Sequence, residues 1–178
     1  MSGHNKWSKI KHKKAAEDAK KSKAFSKFAR LITLEAKKAA GNKNAPLLRA
    51  VIERARAVNM PGENIERAVK KGSEKDAQNL EEVMYEAYGP GGCALIIETL
   101  TDNKNRTLGE IKQIFTDHDV ALAERGAALW AFEKAADKTW TPKTTVPLSG
   151  EDREKLSRLI LALEEHDDVQ AAYNNGNQ

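Results

Sequence analysis

The chain has 178 residues, 40% apolar and 31% charged, with 30 Lys and Arg against 26 Asp and Glu for a net charge of +4. This leaves enough apolar material for a packed core, excludes disorder throughout, and suits one large domain or two small ones. A single cysteine, Cys93, excludes an intramolecular disulfide and a Cys-based structural zinc site.

The basic start MSGHNKWSKIKHKK lacks the apolar run of a secretory signal, and the absence of arginine before Arg30 argues against a mitochondrial presequence. Apolar stretches such as Cys93–Ile97 are too short to span a bilayer. A cytoplasmic protein without a membrane partner is expected. The small net charge hides a division. Residues 1–75 hold 20 basic and 7 acidic residues, a surplus of 13, whereas residues 76–178 hold 10 and 19, a deficit of 9. Such a split points to a polyanionic partner for the first part. The acidic part limits indiscriminate association.

In chain order, residues 1–23 read as a basic polar tract. Helical spacing sets in at about residue 15, with Phe25, Phe28, Ile32 and Ala36 on one face and an end at Gly41-Asn42. Pro46 opens a second helix carrying Leu48, Val51, Ile52, Ala55 and Val58. After Met60-Pro61, a third helix turns Ile65 and Val69 inward and stops at Gly72. Residues 73–80 read as a linker.

Beyond it, Val83–Tyr88 reads as a strand, Gly89–Gly92 as a turn and Cys93–Leu100 as a buried strand. The polar loop Thr101–Arg106 leads into a helix with Leu108, Ile111, Ile114 and Phe115 inside. Residues 127–133 read as a strand, and 139–148, with two prolines, as an edge strand. A helix opens at Ser149 or Gly150, Val169–Tyr173 forms the last strand, and residues 174–178 are expected to fray. After one extra strand, the order strand-helix-strand-strand-helix-strand is that of a ferredoxin-like fold. The expected fold class is α+β, with a helical domain of three helices over 1–75 and a ferredoxin-like domain over 80–178.

The candidate nucleic-acid-binding residues are Lys6, Trp7, Lys9, Lys11, His12, Lys13, Lys14, Lys20, Lys21, Lys23, Lys27 and Arg30. Lysines are mobile point charges suited to phosphate without base specificity. Trp7, His4 and His12 among them offer rings that stack on unpaired bases. The alternative is a solvated charge run. A secondary candidate is the loop Asn103, Lys104, Asn105 and Arg106, whose amides and cations suit phosphate at a helix N-terminus. Local capping of that helix explains the same residues equally well.

Gly89–Gly92 lacks the Lys-Ser/Thr of a phosphate-binding P-loop. Asp117–Asp119 and Glu164–Asp168 contain metal-capable groups without a recognised ligand spacing. Cys93 reads as an inert core thiol. No nucleophile with a placed base, and no cofactor fingerprint, is present in the sequence. The expectation is a protein that is not an enzyme, with no cofactor, metal or small-molecule substrate.

Four stretches, GHNKWSKIKHKKAAEDAKKSKAFSKF at 3–28, NMPGENIERAVKKG at 59–72, YEAYGPGGCALIIETLTDNKNRT at 85–107, and TPKTTVPL with LEEHDDVQAAYNN, resemble the YebC/PmpR family. That resemblance implies a regulator of gene expression: a DNA-binding transcriptional regulator, or a translational activator that binds ribosomal RNA on the ribosome. It also implies a third α+β domain inserted into the second. Here AFEK at 131–134 runs almost directly into TWTPKTTVPL at 139–148, so the insert is expected to be absent near 134–139.

Overall fold

Residues 4–40 contain neither glycine nor proline, and alanine and lysine are among the better helix formers. In the computed structural model, which describes residues 3–40, 42–74, 79–136 and 138–177 (the backbone alone for 3–13), all of them up to Lys38 lie in one helix, α1 (Gly3–Lys38), and Ala39 and Ala40 form the turn after it. At 1.5 Å per residue it is about 54 Å long. The helix thus reaches far into the tract that apolar spacing leaves unassigned. Propensity carries it there without a face to bury.

The chain forms two compact units, Met1–Asn79 and Leu80–Gln178. In the first, α2 (Pro46–Ala57) and α3 (Gly62–Ser73) pack on the C-terminal part of α1. Ile32 and Ala36 meet Leu48, Ala55, Met60, Ile65 and Ala68, with Phe25 and Phe28 at the margin. Gly72 sits inside α3 and is buried, rather than ending the helix. A Cβ there would lie 2.3 Å from the Thr33 carbonyl oxygen and 2.8 Å from the Ala36 Cβ. The glycine is therefore what lets α1 and α3 approach so closely. Val58 falls just past α2 and is exposed.

The second unit contains β1 (Glu81–Tyr88), β2 (Ala94–Thr101), α4 (Lys104–Asp117), β3 (Ala121–Ala123), β4 (Phe132–Lys134), β5 (Trp140–Pro142), α5 (Gly150–Glu165) and β6 (Val169–Asn174). Its four-stranded sheet has the order β3-β1-β2-β6, and every neighbouring pair is antiparallel. β2 and β3 are therefore parallel with β1 between them, so β2-α4-β3 is a split β-α-β unit. Alternation along β2 sends Leu95 and Ile97 to the face covered by Ile111 and Phe115 of α4 and by Leu156, Leu159 and Leu163 of α5. Ala94 and Ile96 go to the opposite face, against Ala128, Ala131 and Phe132.

The α+β class is as the sequence implies, but several strands differ. β1 is central to the sheet rather than an addition to it. Within 127–133 the chain makes a 3₁₀ turn at Leu129–Ala131 before β4, which pairs with β5 in a separate two-stranded ladder. β3, three residues long, takes the edge position, being too short to show a period of two. Nor do the described residues after Asn174 fray. Asn175 is buried, its Oδ1 accepts the Ala94 N–H at 2.7 Å, and Val146 bridges to Gly176.

Candidate nucleic-acid interface

Core contacts of α1 begin at Phe25. From Lys14 to Ser22 every residue is exposed, Ala15, Ala16 and Ala19 included. This stretch is helical yet packs no face against the bundle. Lys14, Lys20 and Lys21 stand on it, and no carboxylate among the described residues pairs with them. Lys23, Lys27 and Arg30 are half-buried and each has a partner. Lys20, Lys23, Lys27 and Arg30 follow the i, i+3, i+7, i+10 spacing of one helical stripe. Their Cα atoms span about 15 Å along the axis. Lys6, Trp7, Lys9, Lys11, His12 and Lys13 lie in the helical backbone of α1, and their side chains fall outside the described residues. More cations stand exposed on the neighbouring helices: Arg49 and Arg56 on α2, Arg67, Lys70 and Lys71 on α3.

The secondary candidate loop is put together differently. Asn103 caps α4, its Oδ1 accepting the Arg106 N–H at 3.1 Å. Lys104 pairs with Glu81. Arg106 donates to the buried Asp168 at 2.7 Å and to Asp102 at 3.0 Å. These carboxylates, Asp168 foremost, push the Arg106 guanidinium further up in pKa. Asn105 is exposed. The geometry favours the capping alternative, because both cations of the loop are already committed to carboxylates.

Behind the loop lies a polar chain that sequence reasoning did not find. The Thr107 hydroxyl is 2.6 Å from the Asp168 carboxylate and 2.8 Å from the Thr101 hydroxyl, which accepts the Asn103 N–H at 2.9 Å. Each hydroxyl has one hydrogen, so the bonds run from Asn103 to Thr101, on to Thr107 and into Asp168. Asp168 also brings His166 close. The Asp168 N–H reaches His166 Nδ1 at 3.1 Å, which places the ring proton on Nε2, 2.9 Å from Glu110. Glu110, His166 and Asp168 could by position hold a metal ion. The Arg106 guanidinium already supplies the positive charge at Asp168, however, and both ring nitrogens of His166 are engaged.

The sheet face opposite α4 and α5 is fastened by two carboxylates. Glu86, buried in β1, accepts the N–H groups of Gly126, Ala128 and Leu129 at 2.6, 2.8 and 2.8 Å. Glu98 accepts the Trp140 indole N–H at 2.8 Å, while Lys134 Nζ stands 5.0 Å above that ring. Cys93 is fully buried, and burial pushes its thiol up in pKa. Among the described residues, no helix is long and apolar enough to cross a membrane.

The molecule is thus a two-unit α+β protein: a three-helix bundle with an extended basic helix, followed by a sheet covered on one face by two helices. Comparison with known proteins is in accord. Residues 5–75 match the TACO1/YebC protein N-terminal domain, and residues 80–137 and 134–176 match the TACO1/YebC second and third domain. The chain is 40% identical to a "Probable transcriptional regulatory protein" of Dictyoglomus turgidum, over 98% of this chain and 95% of that one. It is 39% identical to a protein of the same name from Thermotoga maritima, over 98% and 93%. A crystal structure of a conserved hypothetical protein from Aquifex aeolicus superposes with a TM-score of 0.80 at 31% identity, covering 90% of this chain and 91% of that one. The chain belongs to the TACO1/YebC family. The Dictyoglomus alignment runs over 237 positions against the 178 residues here, so that relative carries residues for which this chain has no counterpart.

Proposed function

We propose that this protein is a nucleic-acid-binding regulator of gene expression, not an enzyme, acting in the cytoplasm as a DNA-binding transcriptional regulator. The observation that carries the reading is the stretch of α1 before Phe25. Over Lys14–Ser22, among the described residues, it is a helix with every side chain exposed, in a basic tract with a surplus of ten positive charges over residues 1–43. Stability does not require those lysines, whereas a polyanion does. The names of the relatives support the regulatory role. The interface comprises Lys6, Trp7, Lys9, Lys11, His12, Lys13, Lys14, Lys20, Lys21, Lys23, Lys27 and Arg30. The two matched segments, 80–137 and 134–176, run into one another and overlap at 134–137, which supports a chain in which a short hairpin, β4 to β5, replaces the insert of longer relatives.

One observation favours a second reading, binding to ribosomal RNA. Base readout relies on Arg, Asn or Gln set on a rigid element, and the tract is almost wholly lysine, which suits backbone phosphate. Co-sedimentation with ribosomes at graded salt, beside a genome-wide DNA pull-down, separates the two. Sharp DNA peaks without ribosome association support the promoter role, and ribosome association without such peaks supports the translational one. Replacing Lys9, Lys11, Lys13 and Lys14 with glutamine weakens binding to either polymer. Neutralising four fewer phosphates flattens the slope of log affinity against log salt by about 3.6 on duplex DNA. Unchanged affinity would show the tract to be a solvated surface.

A further inference from the structure

Trp130 and Tyr88 are the large hydrophobic side chains that the second unit exposes on the sheet face away from α4 and α5. They are 59% and 42% accessible. The neighbours of Trp130 in sequence, Leu129 and Ala131, pack with Ala94 and Ile96 on that face. The two rings are held in place. The Trp130 indole N–H donates to the Tyr88 hydroxyl at 3.1 Å, and that hydroxyl donates to the Ala127 carbonyl. The turn bearing Trp130 is fixed in turn by the three N–H bonds to Glu86. Both polar handles are therefore spent within the protein, and what Trp130 leaves to solvent is the apolar surface of its ring system, on a rigid mount. Two exposed cations stand on the adjoining backbone. Arg125 precedes the clamped turn, and the Lys143 N–H donates to the Ala131 carbonyl at 2.8 Å, which brings Lys143 to the next residue.

We propose that Trp130, seated on Tyr88, is a stacking site for an unpaired base of a single-stranded nucleic acid, with Arg125 and Lys143 placed for the flanking phosphates. This deepens the nucleic-acid reading and rests on it. The ring's face binds any base, paired bases present no free face within a duplex, and the unit's net acidity repels a polyanion held by charge alone. Stacking therefore makes this contact selective for unpaired segments. A second protein copy fits the patch less well. Stable protein interfaces bury about 1,200–2,000 Å², far more than two rings offer. The other exposed large apolar residue of the unit, Leu161, is on α5, across the sheet.

The test uses the full chain, with fluorescently labelled single-stranded and duplex oligonucleotides titrated in parallel. Trp130→Ala is expected to weaken single-strand binding about tenfold and to leave duplex affinity and the thermal midpoint unchanged. Trp130→Phe should retain most of the affinity, and Tyr88→Phe, which frees the indole N–H, should lose part of it. Equal single-strand affinity in wild type and Trp130→Ala overturns the stacking site while leaving the α1 interface standing. Wild type that binds neither oligonucleotide overturns both. A concentration-dependent dimer that Trp130→Ala abolishes would assign the patch to self-association instead.

Discussion

The cations of α1 and those of the loop after β2 are the same residue types placed beside similar polar neighbours, yet the fold treats them in opposite ways. Lys104 and Arg106 are drawn to carboxylates brought from Glu81, Asp102 and Asp168. Lys14, Lys20 and Lys21 stand on a helical segment with no packed face, and no described carboxylate pairs with them. A basic residue is available to a phosphate only if the protein has not already neutralised it. Sequence spacing does not reveal this, because Asp168 lies 62 residues from Arg106.

Perturbing the paired side should produce a large change in stability. Asp168→Ala removes the shortest acceptor of the buried Thr107 hydroxyl and the main partner of Arg106, and so loosens the start of α4. We expect a loss of about 2 kcal/mol in urea unfolding, with α1-dependent nucleic-acid binding retained; an unchanged midpoint would show the polar chain to be incidental. On the α1 side, Gly72→Ala forces a Cβ against the Thr33 carbonyl. An overpacking cost of about 1–3 kcal/mol is expected, read as a lower thermal midpoint. Lys14→Gln, Lys20→Gln and Lys21→Gln combined should leave stability within about 0.5 kcal/mol while lowering affinity and its salt slope. Arg106→Gln, by contrast, should leave that slope where it is. A fall in slope for Arg106→Gln would return the loop to the interface. The smallest signal is expected from Cys93: buried, with its pKa raised, it should resist a thiol reagent at neutral pH in the native protein and react once unfolded.

Much of the fold was legible where apolar spacing reports burial. Ile32 and Ala36, Ile65, and Ile111 with Phe115 all point into the cores that their periodicity implies. Spacing failed where nothing is buried or where the element is short. The stretch of α1 from Lys14 to Ser22 is exposed throughout, and β3 has three residues. It also failed at 127–133, where an apolar run does not extend as a strand because Glu86 gathers the amides of Gly126, Ala128 and Leu129 into a turn. The basic tract was legible as composition. The mount of Trp130 was not, since it depends on Tyr88, 42 residues away.

Glu86 has a consequence for the order of assembly. β1 and β2 form a hairpin from adjacent segments and can pair early, whereas the amides that satisfy the Glu86 carboxylate arrive some forty residues later. Until they do, a charged group sits at the centre of that sheet face and must keep its water. The helix-covered face is lined by the larger apolar cluster, with the Asp168 carboxylate held at its margin by Arg106 and Thr107, and is expected to collapse first. The side of the sheet that carries Glu86 and Glu98 is therefore expected to close last, once the segments that satisfy those carboxylates are at hand.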